Sequence, residues 1–396
     1  MRAIWIILAA RSRQQWRAWL LLTLLVTVGT GLVLAAVTAG RRADSAFPEY
    51  VAAHGYDAIV YPSTPLPQLA ALPNVTQVVD IGGPFYGQPF CSCGKQIDQS
   101  LLGVREVSAA ALPRMVKLLS GRMPDQSDPD EVLASYTMQR DYGIGPGTLI
   151  RMPMAAAAQA QQIQKYINGQ GPPPAKALGR LVTLRVTGIG AAENEFPAGQ
   201  GAAYDLYPTA AFAAATKDTP HFTFYNVRLR HGEADFKRFE ATVSGQYQAP
   251  VQDLDEAATA VNGSIHPQAV AWWVLAGLIA LTFLVVAGQA LSRQAAADDA
   301  DGPVLAALGL RSGQFAGLGL LRTLAVAVSG AVAGIGVATL LSAFTPVGEA
   351  RLATLTPGVI FDGPVAAAGA AAAVAVILLL GLPPALRSAR RSAARR

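Results

Sequence analysis

The chain has 396 residues, of which 52% are hydrophobic and only 14% are charged, a balance that is unusual for a water-soluble protein. Its net charge is +5, but nine arginines lie in residues 1–18 and 387–396, and subtracting those nine leaves −4 for the rest. Because the basic residues lie beside apolar runs rather than along a stripe, the charge argues for a membrane and against a nucleic-acid partner.

Four apolar runs reach the roughly twenty residues that a helix needs to cross a bilayer. The runs are Trp19–Val37, Val270–Leu291, Phe315–Phe344 and Gly363–Leu382. Arginine-rich flanks before the first run and after the last predict that both termini are cytoplasmic. Arg41 and Arg42, just outside the first run, argue mildly the other way.

We therefore predict an α-helical membrane protein with four transmembrane helices and a large extracytoplasmic α/β domain inserted between helices 1 and 2. Residues 1–17 have two interpretations, an amphipathic cytoplasmic helix or a plain cytoplasmic extension of the first span. The predicted segments are an amphipathic cytoplasmic helix at 1–17, transmembrane helices at 18–39, 268–291, 314–344 and 363–385, an extracytoplasmic stalk and two-lobed α/β domain at 40–266, a cytoplasmic loop at 292–313, an extracytoplasmic loop at 345–362 and a basic cytoplasmic tail at 386–396.

The insert begins as a stalk, because helical character continues past Arg42 towards Val51. Alternating apolar residues then predict strands, and residues at helical spacing predict helices. The predicted strands are Asp57–Tyr61, Val75–Ile81 and Phe222–Arg230, and the predicted helices are Leu66–Leu72 and Glu233–Ser244. Together these elements suggest a ferredoxin-like lobe.

The chain between those strands predicts a second, β-rich lobe. Short β runs separated by glycine and proline turns occur at Tyr142–Ile150 and Leu181–Ile189. Between them, the alanine, glutamine and proline-rich segment Ala155–Pro174 suggests a partly disordered surface excursion.

No pattern for catalysis or metal binding is present. The sequence contains no G-x-x-x-x-G-K-[ST], no H-E-x-x-H and no G-x-S-x-G, and its four histidines lack metal-ligand spacing. We predict no catalytic residue, no metal site and no cofactor in this chain. Cys91 and Cys93, the two cysteines, leave three alternatives: free or transiently oxidised thiols, a local disulfide, or pairing with another chain.

Small residues four apart predict helix-packing faces in two spans. The pairs are Gly330 with Gly334, and Gly369 with Ala373. Arg322 is the one charge inside the third run, which leaves two alternatives: a functional charge within the membrane, or, as its place near the cytoplasmic end favours, a side chain that snorkels to the surface.

The cytoplasmic loop predicts a short helix with an uncovered apolar face. Asp299, Asp301 and Gly302 precede a proline suited to a first helical turn. A helix of two turns cannot bury such a face alone, so it needs a partner surface. The predicted coupling residues are Pro303, Val304, Leu305, Leu308 and Gly309.

At this point the chain resembles the FtsX/MacB/LolC-type permeases of ABC systems. The layout matches, and so do several sequence segments, although Ala306 stands where the family often has arginine. The matching segments are PVLAALGLRSGQ (Pro303–Gln314) in the inner loop, GRMP (Gly121–Pro124), DEVLAS (Asp130–Ser135) and GIGPGTLI (Gly143–Ile150) in a MacB-like periplasmic core domain, and AGRRADSAFPEY (Ala39–Tyr50) and TPVGEARL (Thr345–Leu352) of a subgroup in which two permease halves are often fused.

The resemblance implies a bacterial plasma-membrane permease worked by a separate MacB/LolD-type ATPase dimer, which would bind ATP and Mg. The inner-loop helix would receive the movement, and the spans would transmit it to the outer domain for export or extraction of a lipid, lipoprotein, peptide or drug. The alternative is an FtsX-like regulator that signals to an extracytoplasmic partner such as a cell-wall hydrolase. A second permease, identical or different, would complete the assembly, and the chain would then be a split half of a fused double permease or one half of a dimer.

Overall fold

The computed structural model describes residues 16–97, 107–108, 110–167, 169–172, 174, 176–196, 204–299 and 312–394. The chain divides into two compact units. We call Met1–Ala46 with Ile265–Arg396 the membrane unit, and Phe47–Ser264 the inserted domain.

The elements of both units follow in chain order. The α-helices are α1 Trp16–His54, α2 Leu112–Met115, α3 Tyr136–Tyr142, α4 Ala160–Ile167, α5 Ala210–Thr216, α6 Glu233–Tyr247, α7 Asp255–Asp299, α8 Ser312–Leu341, α9 Gly348–Ala353 and α10 Gly363–Ala394. The strands are β1 Ala58–Val60, β2 Val75–Pro84, β3 Phe90–Cys91, β4 Val116–Gly121, β5 Glu131–Ser135, β6 Leu149–Pro153, β7 Leu181–Ala192, β8 Leu206–Pro208, β9 His221–Leu229 and β10 Val251–Asp253. Four short 3-10 turns are Pro67–Ala71, Ala157–Gln159, Glu193–Glu195 and Ser342–Phe344.

The four helices α1, α7, α8 and α10 are long and apolar enough to cross a membrane. The predicted fold class is confirmed, since an α/β domain lies in the chain between the first and second of these helices. The first two helices run further than the predicted spans: α1 has 39 residues and contains Pro48, and α7 has 45 and contains Pro267. Both continue into the inserted domain's part of the sequence.

The first sheet of the inserted domain has the strand order β10-β1-β9-β2, and all its pairs are antiparallel. Counting these strands along the chain gives the order 4-1-3-2, with a helical element after the first and after the third, as in the predicted ferredoxin-like lobe. Its core includes Leu69 from the first crossover and Phe239 and Val243 from α6, all fully buried.

The second sheet has the order β3-β6-β7-β5-β8, and β4 pairs with the C-terminal half of β7. β5 pairs with β7 in parallel, and the other pairs are antiparallel. The predicted β-rich second lobe is thus present, and all of it lies between β2 and β9 of the first lobe.

The expectation of a disordered excursion at 155–174 is wrong over its described part. Residues 157–167 form a 3-10 turn followed by α4, and Ala155, Gln159 and Ile163 are buried. The run of alanines and glutamines looked featureless because its periodic signal is a single apolar side chain, Ile163. The amide side chain of Gln159, just before α4, is buried and makes three hydrogen bonds.

Candidate functional site

The predicted coupling residues lie outside the part of the chain that the structure describes. Pro303, Val304, Leu305, Leu308 and Gly309 fall between the end of α7 at Asp299 and the start of α8 at Ser312. The predicted N-terminal amphipathic helix likewise lies outside it, except for the first residues of α1. Among the described residues, the candidate site is the C-terminal end of α1 together with the residues of the inserted domain that hold it. We call this site the anchorage.

Two aromatic side chains begin the anchorage. Phe47 and Tyr50 are 1% and 0% exposed. Both pack against Phe196, with ring centroids 5.4 and 5.2 Å away, and the Tyr50 hydroxyl donates to the carbonyl of Ala191 at 2.7 Å. A buried hydroxyl needs such a partner, so the bond fixes the rotation of α1 against the end of β7.

An arginine closes the C-terminus of α1. The Arg228 guanidinium, from β9, donates to the carbonyl oxygens of Val51, at 3.0 Å, and Gly55, and lies over the Tyr56 ring with 5.8 Å to its centroid. The last carbonyls of a helix have no partner within the helix and carry its partial negative charge, so a cation there stabilises the end. A side chain at Gly55 would approach the Val51 carbonyl to 2.7 Å, which explains the glycine.

Two carboxylates, the half-buried Glu193 and the buried Glu195, lie next to this helix end in the 3-10 turn Glu193–Glu195. Glu193 accepts a hydrogen bond from the amide of Tyr56 at 3.0 Å, and burial raises its pKa to about 7. Glu195 is fully buried and accepts from the amides of Ala192 and Tyr136 and from the Tyr207 hydroxyl, at 3.1 to 3.2 Å. Burial, followed by the charge of Asp205, raises the pKa of Glu195 well above its usual value.

Two of the three segments that resemble a MacB-like core domain, GRMP and DEVLAS, meet in an ion-pair cluster. Glu131, the buried glutamate of DEVLAS, accepts two bonds from Arg122 of GRMP, one more from Arg185 at 3.1 Å, and one from the amide of Asp125 at 2.9 Å. These contacts lower the pKa of Glu131 to about 2, and the hydrogen bonds from Arg122 are the largest cause. The motif therefore has a structural reason: it joins β5 to the turn after β4.

In the membrane unit, the predicted glycine face of α8 lies against α1. A side chain at Gly330 would approach Val26 Cγ1 to 2.6 Å, and one at Gly334 would come within 3.1 Å of the backbone of Thr27 and Gly31. The two helix backbones are thus in close contact.

The glycine of the last span also faces α1. A side chain at Gly369 would overlap Leu34, and Ala373, one turn later, is half-buried. The first helix is therefore contacted from two sides, by α8 and by α10.

The arginines beside the first span bind the loop before α10. Arg42 donates to the carbonyls of Ser342, Thr345 and Thr356 at 2.9, 2.6 and 3.1 Å, and Arg41 lies 3.6 Å from the Asp362 carboxylate. These contacts account for two basic residues that the topology prediction did not favour.

Arg322 and the two cysteines, which the sequence also singled out, have defined neighbours. The Arg322 guanidinium lies over the Trp19 ring of α1, 5.1 Å from its centroid, a partner that the sequence did not indicate. Cys91 and Cys93 are joined by a disulfide, the local bridge among the three alternatives. No cluster of metal-ligating side chains occurs among the described residues.

Comparisons with known proteins find similarity in fold alone. The extracellular domain of an ABC-type transporter, YknZ, from Gram-positive bacteria is 10% identical, covers 50% of this chain and 99% of its own, and gives a TM-score of 0.27. A domain assigned as a permease protein from Porphyromonas gingivalis is 13% identical over 50% of this chain and 84% of its own, also with a TM-score of 0.27. No protein-family model matches the chain, and no curated protein matches it.

Proposed function

We propose that this chain is the membrane subunit of an ABC transporter of the FtsX/MacB/LolC kind. A separate cytoplasmic ATPase dimer binds and hydrolyses MgATP, and this chain passes the resulting movement to its extracytoplasmic domain. The observation that carries the proposal is α1, one helix of 39 residues. At 1.5 Å per residue it is about 58 Å long, and it ends in the anchorage.

The contacts of α8 supply a path from the inner loop to α1. α8 begins at Ser312, directly after the inner loop, and its Gly330 and Gly334 lie against α1. Because the backbones touch, a shift of α8 displaces α1 rather than being absorbed by flexible side chains. Tyr50 and Arg228 hold the other end of α1, so its displacement reaches β7 and β9.

The energy must come from another subunit, because the sequence has no phosphate-binding loop. Its entry point is the apolar face of Val304, Leu305 and Leu308, which nothing in the sequence of the inner loop covers. A large two-lobed domain favours export or extraction of a lipid, lipoprotein, peptide or drug over the FtsX-like signalling alternative. A second permease subunit, identical or not, completes the assembly in the lipid bilayer.

The proposal is tested with Leu305→Asp/Leu308→Asp, which places two charges on the apolar face. A tagged chain is purified in mild detergent and the co-purifying ATPase is quantified. Association should be lost in this variant and kept in Ser388→Asp/Ser392→Asp, which adds the same charge to the basic tail. Undiminished association of the first variant would contradict the proposal.

A further inference from the structure

The inserted domain contains a cavity of about 420 Å³ that the coupling path does not use. Its lining comes from four places: Tyr86 and Gln88 after β2, Pro153 at the end of β6, Ile163 of α4, and Lys176. The volume falls within the range of roughly 300–1,000 Å³ that small-molecule sites have.

A buried amide builds one wall of this cavity. Gln159 is 6% exposed, and its Oε1 accepts from the amides of Ala156, at 3.0 Å, and Leu178, at 2.8 Å. Its Nε2 donates to the carbonyl of Lys176 at 2.7 Å. Two of these three bonds tie the segment with Lys176 to the 3-10 turn that precedes α4, so the cavity has a defined wall.

One charged side chain, that of Lys176, lies among the described residues that line the cavity. The buried carboxylate of Asp205 also influences the lining: its charge is the second cause, after burial, of a raised Tyr86 pKa. Asp205 accepts a hydrogen bond from the Asn194 side chain at 2.8 Å. A lysine in the wall of a cavity favours a ligand with an anionic group.

Next to the cavity are two exposed leucines. Leu178 and Leu181 are 71% and 64% exposed; Leu178 follows the lining residue Ala177, and Leu181 is the register partner of Pro153. With Ile163, Ala155 and the prolines of the lining, they give the site an apolar character beside its cation.

We propose that this cavity binds an anionic amphiphile, a molecule with one apolar chain and a carboxylate or phosphate head. The apolar chain lies against Ile163 and the prolines, and the head pairs with Lys176. The anionic amphiphile would be the substrate of the proposed exporter, so its role as a substrate rests on the proposed function. Binding is measured without any ATPase, so it can fail while ATPase association succeeds, and the reverse.

The test uses the full chain in lipid nanodiscs and a dodecanoate that carries a photoreactive diazirine on its chain. Cross-linked peptides are mapped by mass spectrometry, which separates the cavity from the bilayer. Labelling within 153–177 should be competed by unlabelled dodecanoate or dodecyl phosphate and not by dodecanol; the stronger of the two anions identifies the head group.

Lys176→Glu should lower this labelling about five-fold, the loss expected for one exposed ion pair. Lys165→Glu makes the same charge change on α4 outside the lining and should leave labelling unchanged. Ile163→Trp fills the cavity and should also abolish labelling, with thermal unfolding as the check that the domain stays folded. Labelling only in the membrane helices, equal competition by dodecanol, or equal labelling of Lys176→Glu and wild type would each overturn the proposal.

Discussion

Different kinds of contact stabilise the membrane unit and the inserted domain, each considered by itself. In the membrane unit, helices pack closely at glycines, namely Gly330 and Gly334 of α8 and Gly369 of α10. In the inserted domain, the end of α1 is held by aromatic rings, an arginine and a carboxylate. In lipid there is no hydrophobic driving force for helix association, so close van der Waals packing stabilises the contact. In water the burial of apolar side chains stabilises the fold, and polar groups that are buried with them need hydrogen-bond partners.

The two units meet in sequence within α1, and this explains its composition. Its first half is rich in glycine and threonine, and its last turns carry Phe47 and Tyr50. One helix is therefore adapted to both environments, and substitutions in its two halves should fail for different reasons.

The largest effect should come from Tyr50→Ala, which removes a fully buried ring and its bond to Ala191. We expect the inserted domain to lose about 3–5 kcal/mol of stability. Hydrogen exchange of β7 peptides measures the loss. Tyr50→Phe, which removes the hydroxyl alone, should cost about 1 kcal/mol. Tyr166→Ala, at a 38% exposed ring, is the control; an equal effect there would contradict a special role for Tyr50.

The next effect is a pH dependence confined to the inserted domain. Burial raises the pKa of Glu193 from 4.5 to about 7, so the folded state holds this proton more tightly than the unfolded state. The contribution of Glu193 to the free energy of unfolding should therefore be fully present below pH 4.5 and be lost as pH rises to about 7, a change of up to roughly 3 kcal/mol. Glu193→Gln should flatten that part of the pH profile, and Glu240→Gln, at an exposed residue of α6, should not. A profile that keeps its slope in Glu193→Gln would refute the assignment.

In the membrane unit, Gly334→Leu should separate α8 from α1, and Gly336→Leu should be tolerated. A side chain at Gly334 meets Thr30 and Gly31 within 3.1 Å, while one at Gly336 meets nothing within 4 Å. The expected cost is about 2 kcal/mol. All five tryptophans lie in the membrane unit's part of the sequence, so their fluorescence on heating reports it. Equal melting of the two variants would argue against this helix contact.

The smallest effect should come from Arg42→Lys, which cannot reach three carbonyls with one planar group. We expect a loss of about 1 kcal/mol, seen as faster hydrogen exchange in residues 345–362. Arg41→Lys keeps the charge near Asp362 and serves as the matched control. Equal exchange in both variants would show that Arg42 does not hold this loop.

Local pattern in the sequence predicted the elements better than the partners. Runs of apolar residues indicated the four spans, and alternation indicated β1, β2, β7 and β9, because both report which side of an element is buried. The anchorage was not predicted: Arg228 contacts Val51 across 177 positions, and Glu193 contacts Tyr56 across 137. Only tertiary structure brings such residues together. The helix α4 was missed because Ile163 is the one large apolar side chain buried among its described residues.

The central claim is that ATP hydrolysis by a partner moves the inserted domain relative to the membrane unit. It is tested most directly by spin labels at Glu240→Cys and Val359→Cys, both exposed, in a Cys91→Ser/Cys93→Ser background. With the ATPase present, trapping with ATP and vanadate should shift the distance distribution in the wild-type loop and leave it unchanged in Leu305→Asp/Leu308→Asp. Identical distributions with and without trapped nucleotide, in a complex that hydrolyses ATP, would contradict the account.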